Sequence, residues 1–453
     1  MGRNYEEAVR YLLTLGKELA SPRQARVQKF DLQNSLLLAR ELGDPQSKFP
    51  SAHIAGTNGK GSTAAMLEAL LRQAGVKTGL YTSPHLERIN ERIALDGVPV
   101  SDADFAASFA TLRALVERLL AAGELAAHPT YFECLTAMAF EIFARTGVEC
   151  AVLEVGMGGR LDATNIVVPE VSVITPIDFD HEDYLGHSIE AIAAEKAAII
   201  KPGVPVVTAA ARPEAHEVIE RRAAELAAPL TDIDRDFRLE NERDSDGCYR
   251  ALAVHVESGE QFALAPALAG RYQLRNAVAA LAAARILARR GFPITREAVE
   301  RGVASVRWPG RIERMGNNPA LYLDGTHNPA GARELVAFWQ AHFAHRRIFL
   351  VYGAMRDKAV DEIAGLLFPH AYRVLFTQPR QSRAISADVL ARMTEHHAPS
   401  SEVVPDPQAA LARAVALAGA HDVVFVTGSL YLAGDLRQSA QELSRRSTPR
   451  RPV

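Results

Sequence analysis

The chain of 453 residues sets 51 Lys plus Arg against 54 Asp plus Glu, a formal net charge of -3, with 48% hydrophobic and 23% charged residues. At roughly 100–200 residues per domain this length predicts two or three domains, and the composition excludes wholesale disorder and collagen-like repetition. The near-neutral balance excludes a bulk positive field for nucleic acid or an anionic membrane, and three widely spaced cysteines, Cys134, Cys150 and Cys248, fit neither a disulfide framework nor a zinc ribbon, so a reducing, cytoplasmic setting is expected.

In chain order, the first nineteen residues, MGRNYEEAVRYLLTLGKEL, thread charges through apolar positions and predict an amphipathic helix rather than a signal peptide. No apolar run of about 18 residues suggests a membrane span. Strand-like runs at 51–55, 78–82, 151–155, 171–175 and 204–208 alternate with helical patterns such as 62–73, where Met66, Leu67, Leu70 and Leu71 recur at helical spacing. From 229 to 266 short alternating runs around a charged turn predict a β-meander. An Ala-rich helix follows over 276–289, then a connection, VRWPGR at 306–311, after which strands near 321, 348–352, 372–376 and 423–426 restart the alternation. The expected architecture is α/β: a P-loop ATPase-like domain with a mostly parallel sheet and a small meander over 1–306, a smaller Rossmann-like domain over 307–437, and a frayed basic tail over 438–453.

Three segments carry chemistry. GTNGKGS at 56–62 follows a strand and opens a helix, as a phosphate-cradling loop must. The backbone at Gly56, Thr57, Asn58, Gly59 and Gly61 can turn N–H groups toward anionic oxygens, the helix N-terminus adds positive potential, Lys60 offsets β/γ charge, and the Ser62 hydroxyl can reach Mg2+. Gly61, between Lys60 and Ser62, departs from the literal GxxxxGK[ST] pattern. Second, the strand ending at Glu154 opens a glycine-rich loop, VGMGGRLDATN at 155–165; beside a P-loop that carboxylate is placed for a metal, and taken alone it is equally a solvated strand-end acid. Third, DFDHEDYLG at 178–186 crowds acids around His181, which suits a cation and equally suits a solvated turn.

These residues resemble the folylpolyglutamate synthases, including the bifunctional dihydrofolate synthases, of the Mur ligase superfamily. The matching stretches are HIAGTNGKGS (53–62), YTSPHL (81–86), 154–165, DHEDYLG (180–186), EKAAIIKPG (195–203), DGTHNP (324–329) and VTGSLY (426–431). The resemblance implies that Lys60 binds ATP phosphates, that Ser62 and Glu154 hold one Mg2+, and that Glu154 and His181 lie near a second, where Lys196 is a carbamylated lysine. Only eight lysines occur, at 17, 29, 48, 60, 77, 196, 201 and 358, and an arginine cannot replace a carbamate because its guanidinium stays protonated. The resemblance further implies nucleotide contacts from Asn276, Arg311, Asp324 and His327, an acceptor pocket including Ser83, Phe132 and Asp162, and Lys358 and Arg383 near the incoming amino acid. Phe132, in a Leu/Ala/Phe-rich helix, is equally a core residue. Thr326, Ala198 and Ala359 depart from the family pattern without removing a reactive group.

The implied reaction is ATP-dependent ligation of L-glutamate to folate or dihydropteroate through an acyl phosphate, by a cytoplasmic monomer acting on small molecules, with no nucleic acid or membrane partner. Two rivals are a ligase acting on a different carboxylate, such as a UDP-linked muropeptide, and a P-loop switch that ligates nothing. The missing UDP-binding first domain counts against the first, and the lack of an AsnLysxAsp guanine-reading sequence against a GTPase form of the second.

Overall fold

The computed structural model describes residues 2–15, 31–398 and 400–447. Eight strands form the first sheet: β1 (Ser51–Ala55), β2 (Thr78–Tyr81), β3 (Ile93–Leu95), β4 (Val98–Pro99), β5 (Cys150–Glu154), β6 (Val171–Ile174), β7 (Val206–Thr208) and β8 (Leu230–Asp232), in the order β4-β3-β2-β5-β1-β6-β7-β8. All neighbours run parallel except the β2-β3-β4 edge, which is antiparallel. Every residue of β1, β2, β5, β6 and β7 is buried, because a parallel sheet carries helices on both faces and its strands read as continuous apolar runs.

Helices Lys60–Gln73, Tyr272–Arg289 and Arg296–Ser305 contribute to one core, in which Leu67, Leu70, Ala283 and Val303 join Ile54 and Val173 of the sheet. Gly2–Thr14, Gln33–Glu41, Asp102–Ala121 and Tyr131–Thr146 build another around Phe105, Phe140 and Leu153. Small residues let these helices approach closely. A Cβ built on Gly302 would lie 2.6 Å from Leu70 Cα and 2.7 Å from its N, and backbone atoms cannot yield as a side-chain tip can. Gly302→Ala should therefore destabilise the domain by about 1–3 kcal/mol despite alanine's better helix propensity; urea unfolding that places the variant at or above the parent's stability would refute this close-packing account.

The region expected as a meander from 229 divides. β8 pairs in parallel with β7, since Leu230–Asp232 aligns with Val206–Thr208, and the meander is the three-stranded antiparallel sheet of β9 (Phe237–Ser245), β10 (Cys248–His255) and β11 (Gln261–Leu264). A second large sheet follows, formed by β12 (Glu313–Asn317), β13 (Ala320–Leu323), β14 (Ile348–Tyr352), β15 (Arg373–Phe376), β16 (Ser401–Val403) and β17 (Val423–Thr427), in the order β12-β13-β17-β14-β15-β16 with β12 alone antiparallel.

The expected tail over 438–453 is corrected over 438–447, which continue the helix Leu430–Ser447. Leu436 and Ala440 are fully buried and Leu443 packs beside them, a helical stripe that the flanking arginines obscure in the sequence. Residues 448–453 lie outside the described residues, as do residues 16–19 of the expected N-terminal helix, which is observed over Gly2–Thr14. No helix among the described residues is long and apolar enough to cross a membrane.

Candidate active site

β1 lies between β5 and β6, so the chain leaves β1 toward β2 on one side and passes from β5 to β6 on the other. Open α/β sheets bind ligands at such a switch point, outside the carboxyl ends of the strands. The three ends deliver Gly56, Glu154 and the segment from Thr175 to Asp180.

The loop 56–59 turns tightly into the helix beginning at Lys60. Gly56 has φ 151° and a Cβ there would meet Thr175 Oγ1 at 1.8 Å; Gly59 has φ 86° and a Cβ would meet Asn276 Oδ1 at 2.4 Å. Glycine is required at both positions, and the expected nucleotide residue Asn276 is thereby placed against the loop. Trp308, in the connection ahead of Arg311, packs on Gly61, where a Cβ would lie 3.0 Å from the indole. That contact accounts for the glycine inserted between Lys60 and Ser62.

Lys60 turns back on its own loop, its Nζ donating to Gly56 O at 3.0 Å and Thr57 O at 3.1 Å. Lys196 reaches the same point from its helix, Ile189–Ala197, donating to Gly56 O at 2.9 Å. It is buried, and burial, reinforced by the Lys60 charge, pushes its ammonium down to about 7. Glu154 is also buried; its Oε2 accepts from Ser83 N at 3.1 Å, and burial pushes its carboxyl up to about 7 against the pull of Lys60. Arg311 is within electrostatic reach of both Lys60 and Glu154.

The second domain meets this loop at Asp180, which the sequence marks only as one acid in a crowded run. Its Oδ1 accepts from Lys358 Nζ at 2.7 Å; its Oδ2 lies 3.6 Å from His327 Nε2 and accepts from Asn328 Nδ2 at 3.3 Å. Burial raises the Asp180 carboxyl, but His327 and Lys358 outweigh it and hold the group well below the usual carboxylate range. Asn328 and Asn58 exchange amide hydrogen bonds of 2.9 and 3.2 Å, joining the second domain directly to the phosphate loop. Neither Asp180 nor Asn328 was singled out from sequence; their presence inside matching motifs was the available signal.

His181, at φ 53°, lies beside Lys358, whose Nζ is 3.3 Å from its Nε2. Burial pushes this imidazole down to about 3, so it is neutral near pH 7. An ammonium can only donate, so Nε2 accepts and Nδ1 carries the proton; Nδ1 is buried without a hydrogen-bond partner. Arg383 Nη1 lies 3.3 Å from Asp357 Oδ1, next to Lys358. Asp324, also buried, accepts from Ile312 N and Thr326 N at 2.9 Å each, pinning the connection that carries Arg311 to the second domain.

The residues expected in the acceptor pocket gather around the second glycine loop. Phe132 covers Gly156, where a Cβ would lie 2.6 Å from its ring, and stands 5.8 Å from the Tyr81 ring. Asp162 faces the loop itself: Oδ2 accepts from Gly156 N at 2.9 Å and Met157 N at 3.1 Å, and Oδ1 from Thr164 N at 3.0 Å and the Thr164 hydroxyl. Since that hydroxyl gives its proton to Asp162, it accepts from His53 Nε2, 2.8 Å away. A chain of hydrogen bonds thus runs from the middle of β1 to the loop behind Glu154.

A strand–loop–helix turn of the phosphate-binding type, faced by a second α/β domain, is an architecture suited to a two-domain nucleotide-dependent ligase. Residues 54–284 match the Mur ligase middle domain and residues 310–430 the Mur ligase glutamate ligase domain. The dihydrofolate synthase/folylpolyglutamate synthase of Bacillus subtilis (strain 168) is 37% identical over 415 residues, spanning 89% of this chain and 93% of its own length. The folylpolyglutamate synthase of Lacticaseibacillus casei is 35% identical over 444 residues, 96% of this chain and 98% of its own. The solved structure of Mycobacterium tuberculosis folylpolyglutamate synthase complexed with ADP superposes with a TM-score of 0.87 at 33% identity, covering 100% of this chain and 99% of that one. The chain belongs to the folylpolyglutamate synthase/dihydrofolate synthase family of the Mur ligase superfamily.

Proposed function

We propose that the protein joins L-glutamate to the carboxylate of dihydropteroate and of folates, with ATP consumed to activate the acid. The observation that carries this reading is the meeting of two half-sites from one chain: Lys60, Glu154 and Lys196 around the phosphate loop, and His327, Lys358 and Arg383 from the second domain, with Asp180 between them. Because one chain supplies both halves, a monomer is the proposed active unit, and the cytoplasm, where ATP is abundant, is its proposed location.

A carboxylate repels nucleophiles and lacks a good leaving group, so it must first be activated. Its oxygen bonds to the γ-phosphorus while the bridging β–γ oxygen bond breaks, giving an acyl phosphate and ADP. Lys60 and the loop amides stabilise the phosphoryl oxygens, and Asn276, Arg311, Asp324 and His327 position the nucleotide. The glutamate amine then bonds to the acyl carbon, loses a proton, and phosphate departs. Lys358 and Arg383 are cations suited to the carboxylates of glutamate, and His181 lies beside Lys358 at the same junction. Ser83 and Phe132 would border the acceptor, with Asp162 holding the loop behind it. Approach of the two domains excludes water from the acyl phosphate.

The oxygen donors of Ser62 and Glu154 fit Mg2+, and a buried carboxyl pushed up to about 7 gains from a cation beside it. His181 and a carbamate on Lys196 would serve a second ion once Lys358 turns from Nε2 to substrate. Bound Mg2+ supplies Lewis acidity and charge neutralisation. ADP release should require Mg·ATP, L-glutamate and an acceptor, with turnover on dihydropteroate as well as tetrahydrofolate; silence with both acceptors, in protein shown to bind ATP, would overturn the acceptor assignment.

A further inference from the structure

Outside the cleft, two histidines and an aspartate converge on the surface of the second domain. Asp361 lies in the first turn of the helix Val360–Leu367, and His396 and His397 lie in the turn after the helix Ala387–Met393. Both imidazoles reach the same oxygen, each Nε2 lying 3.2 Å from Asp361 Oδ1, and their ring centroids are 4.0 Å apart. One donor atom from each residue falls within 4.8 Å of the others.

The placement is supported from beneath. Gly365 lies one turn beyond Asp361, and a Cβ there would approach His397 Cε1 at 3.2 Å. Glycine inside a helix costs about 1 kcal/mol relative to alanine, and here the space it leaves accommodates the imidazole. His397 is accordingly only 25% exposed, whereas His396 at 58% and Asp361 at 64% face solvent. For bonds of roughly 2.0–2.1 Å meeting at tetrahedral angles, neighbouring donors stand about 3.3 Å apart. Both nitrogen–oxygen separations match that edge.

We propose that Asp361, His396 and His397 form a binding site for a divalent transition-metal ion of the zinc class, with the remaining position open to water. Two imidazoles and one carboxylate favour Zn2+, Co2+ or Ni2+ over Mg2+ or Ca2+, which prefer all-oxygen shells. None of the three residues has a part in the proposed ligation, so the site adds a metal-dependent clamp between the helix and the turn without altering the reaction.

Calorimetric titration of the full chain with Zn2+, in millimolar Mg2+, should give one site of micromolar affinity that is lost in the double variant His396→Ala/His397→Ala. Loss of an outer-shell partner lowers metal affinity by about 10–100-fold, so loss of both imidazole ligands should exceed that. Co2+ should give the visible absorption of a low-coordinate nitrogen/oxygen site in the parent only. Zn2+ should also raise the parent's thermal midpoint, because an ion that binds only the folded state stabilises it. Unchanged basal ligase activity and circular dichroism in the variant would establish that it folds. No Zn2+ binding by the parent, or equal binding by the folded variant, would overturn the proposal and reduce the cluster to a histidine–aspartate ion pair.

Discussion

Lys196→Arg should bind ATP within a few-fold of the parent and turn over about 10²–10³-fold more slowly, the loss seen when a buried group stabilising transition-state charge is removed. The reasoning starts from burial. Lys196 is 4% exposed, and its pKa is pushed down to about 7 by desolvation and the neighbouring Lys60, so a substantial fraction of the amine is neutral near pH 7. A neutral amine can bond through its lone pair to the carbon of CO2, lose one proton and become a carbamate, exchanging a positive charge for a negative oxygen donor. A guanidinium remains protonated and cannot follow that path. Two companion measurements separate the missing carbamate from bulk beneath the phosphate loop: removing CO2 and bicarbonate should lower the parent's rate, and formate or acetate should restore part of the rate to Lys196→Ala but none to Lys196→Arg. Near-parental turnover by the arginine variant would sink the carbamate assignment.

What could be read from the sequence follows the range of the interactions involved. The phosphate loop was legible because strand, glycines, lysine and helix are contiguous, whereas the switch point at β1 depends on strand order, which pairing fixes and alternation does not. Asp180 was not: its run of acids suits a solvated turn equally well, and the partner that decides the matter, Lys358, is 178 positions away in the chain. Only packing of the two domains unites them. The short strands β3, β4, β12 and β16 escaped notice because neighbouring strands supply their hydrogen bonds, whereas two to five residues carry too little periodicity to stand out. Asp162 illustrates a third case. Family resemblance places it in the acceptor pocket, while the structure commits both carboxylate oxygens to the glycine loop, a use that no spacing pattern distinguishes from ligand binding.

The hydrogen-bond chain behind that loop predicts a pH dependence that starts at His53. This side chain is fully buried in the central strand; its Nε2–H is used on Thr164 and its Nδ1 has no hydrogen-bond partner. Burial, followed by the charge of Lys201, pushes the imidazole down to about 3, against roughly 6.5 in an unfolded chain. Between those values the unfolded state binds a proton that the folded state refuses. The contribution to stability is therefore present above pH 6.5 and falls as the solution is acidified, by up to about 1.4 kcal/mol per pH unit. His53→Gln keeps an N–H donor for Thr164 but cannot titrate. Between pH 7 and pH 5 the parent should lose about 2 kcal/mol more stability than this variant in parallel urea unfolding. Parallel stability curves for the two proteins would rule out His53 as the cause. Protonation of His53 would also place a buried cation behind the hydroxyl that orients Asp162, and Asp162 holds the amides of Gly156 and Met157 next to Glu154. Because the folded state refuses that proton until about pH 3, acid acts through unfolding before it acts on the folded loop, and the glutamine variant should stay folded, and so retain turnover, to lower pH than the parent.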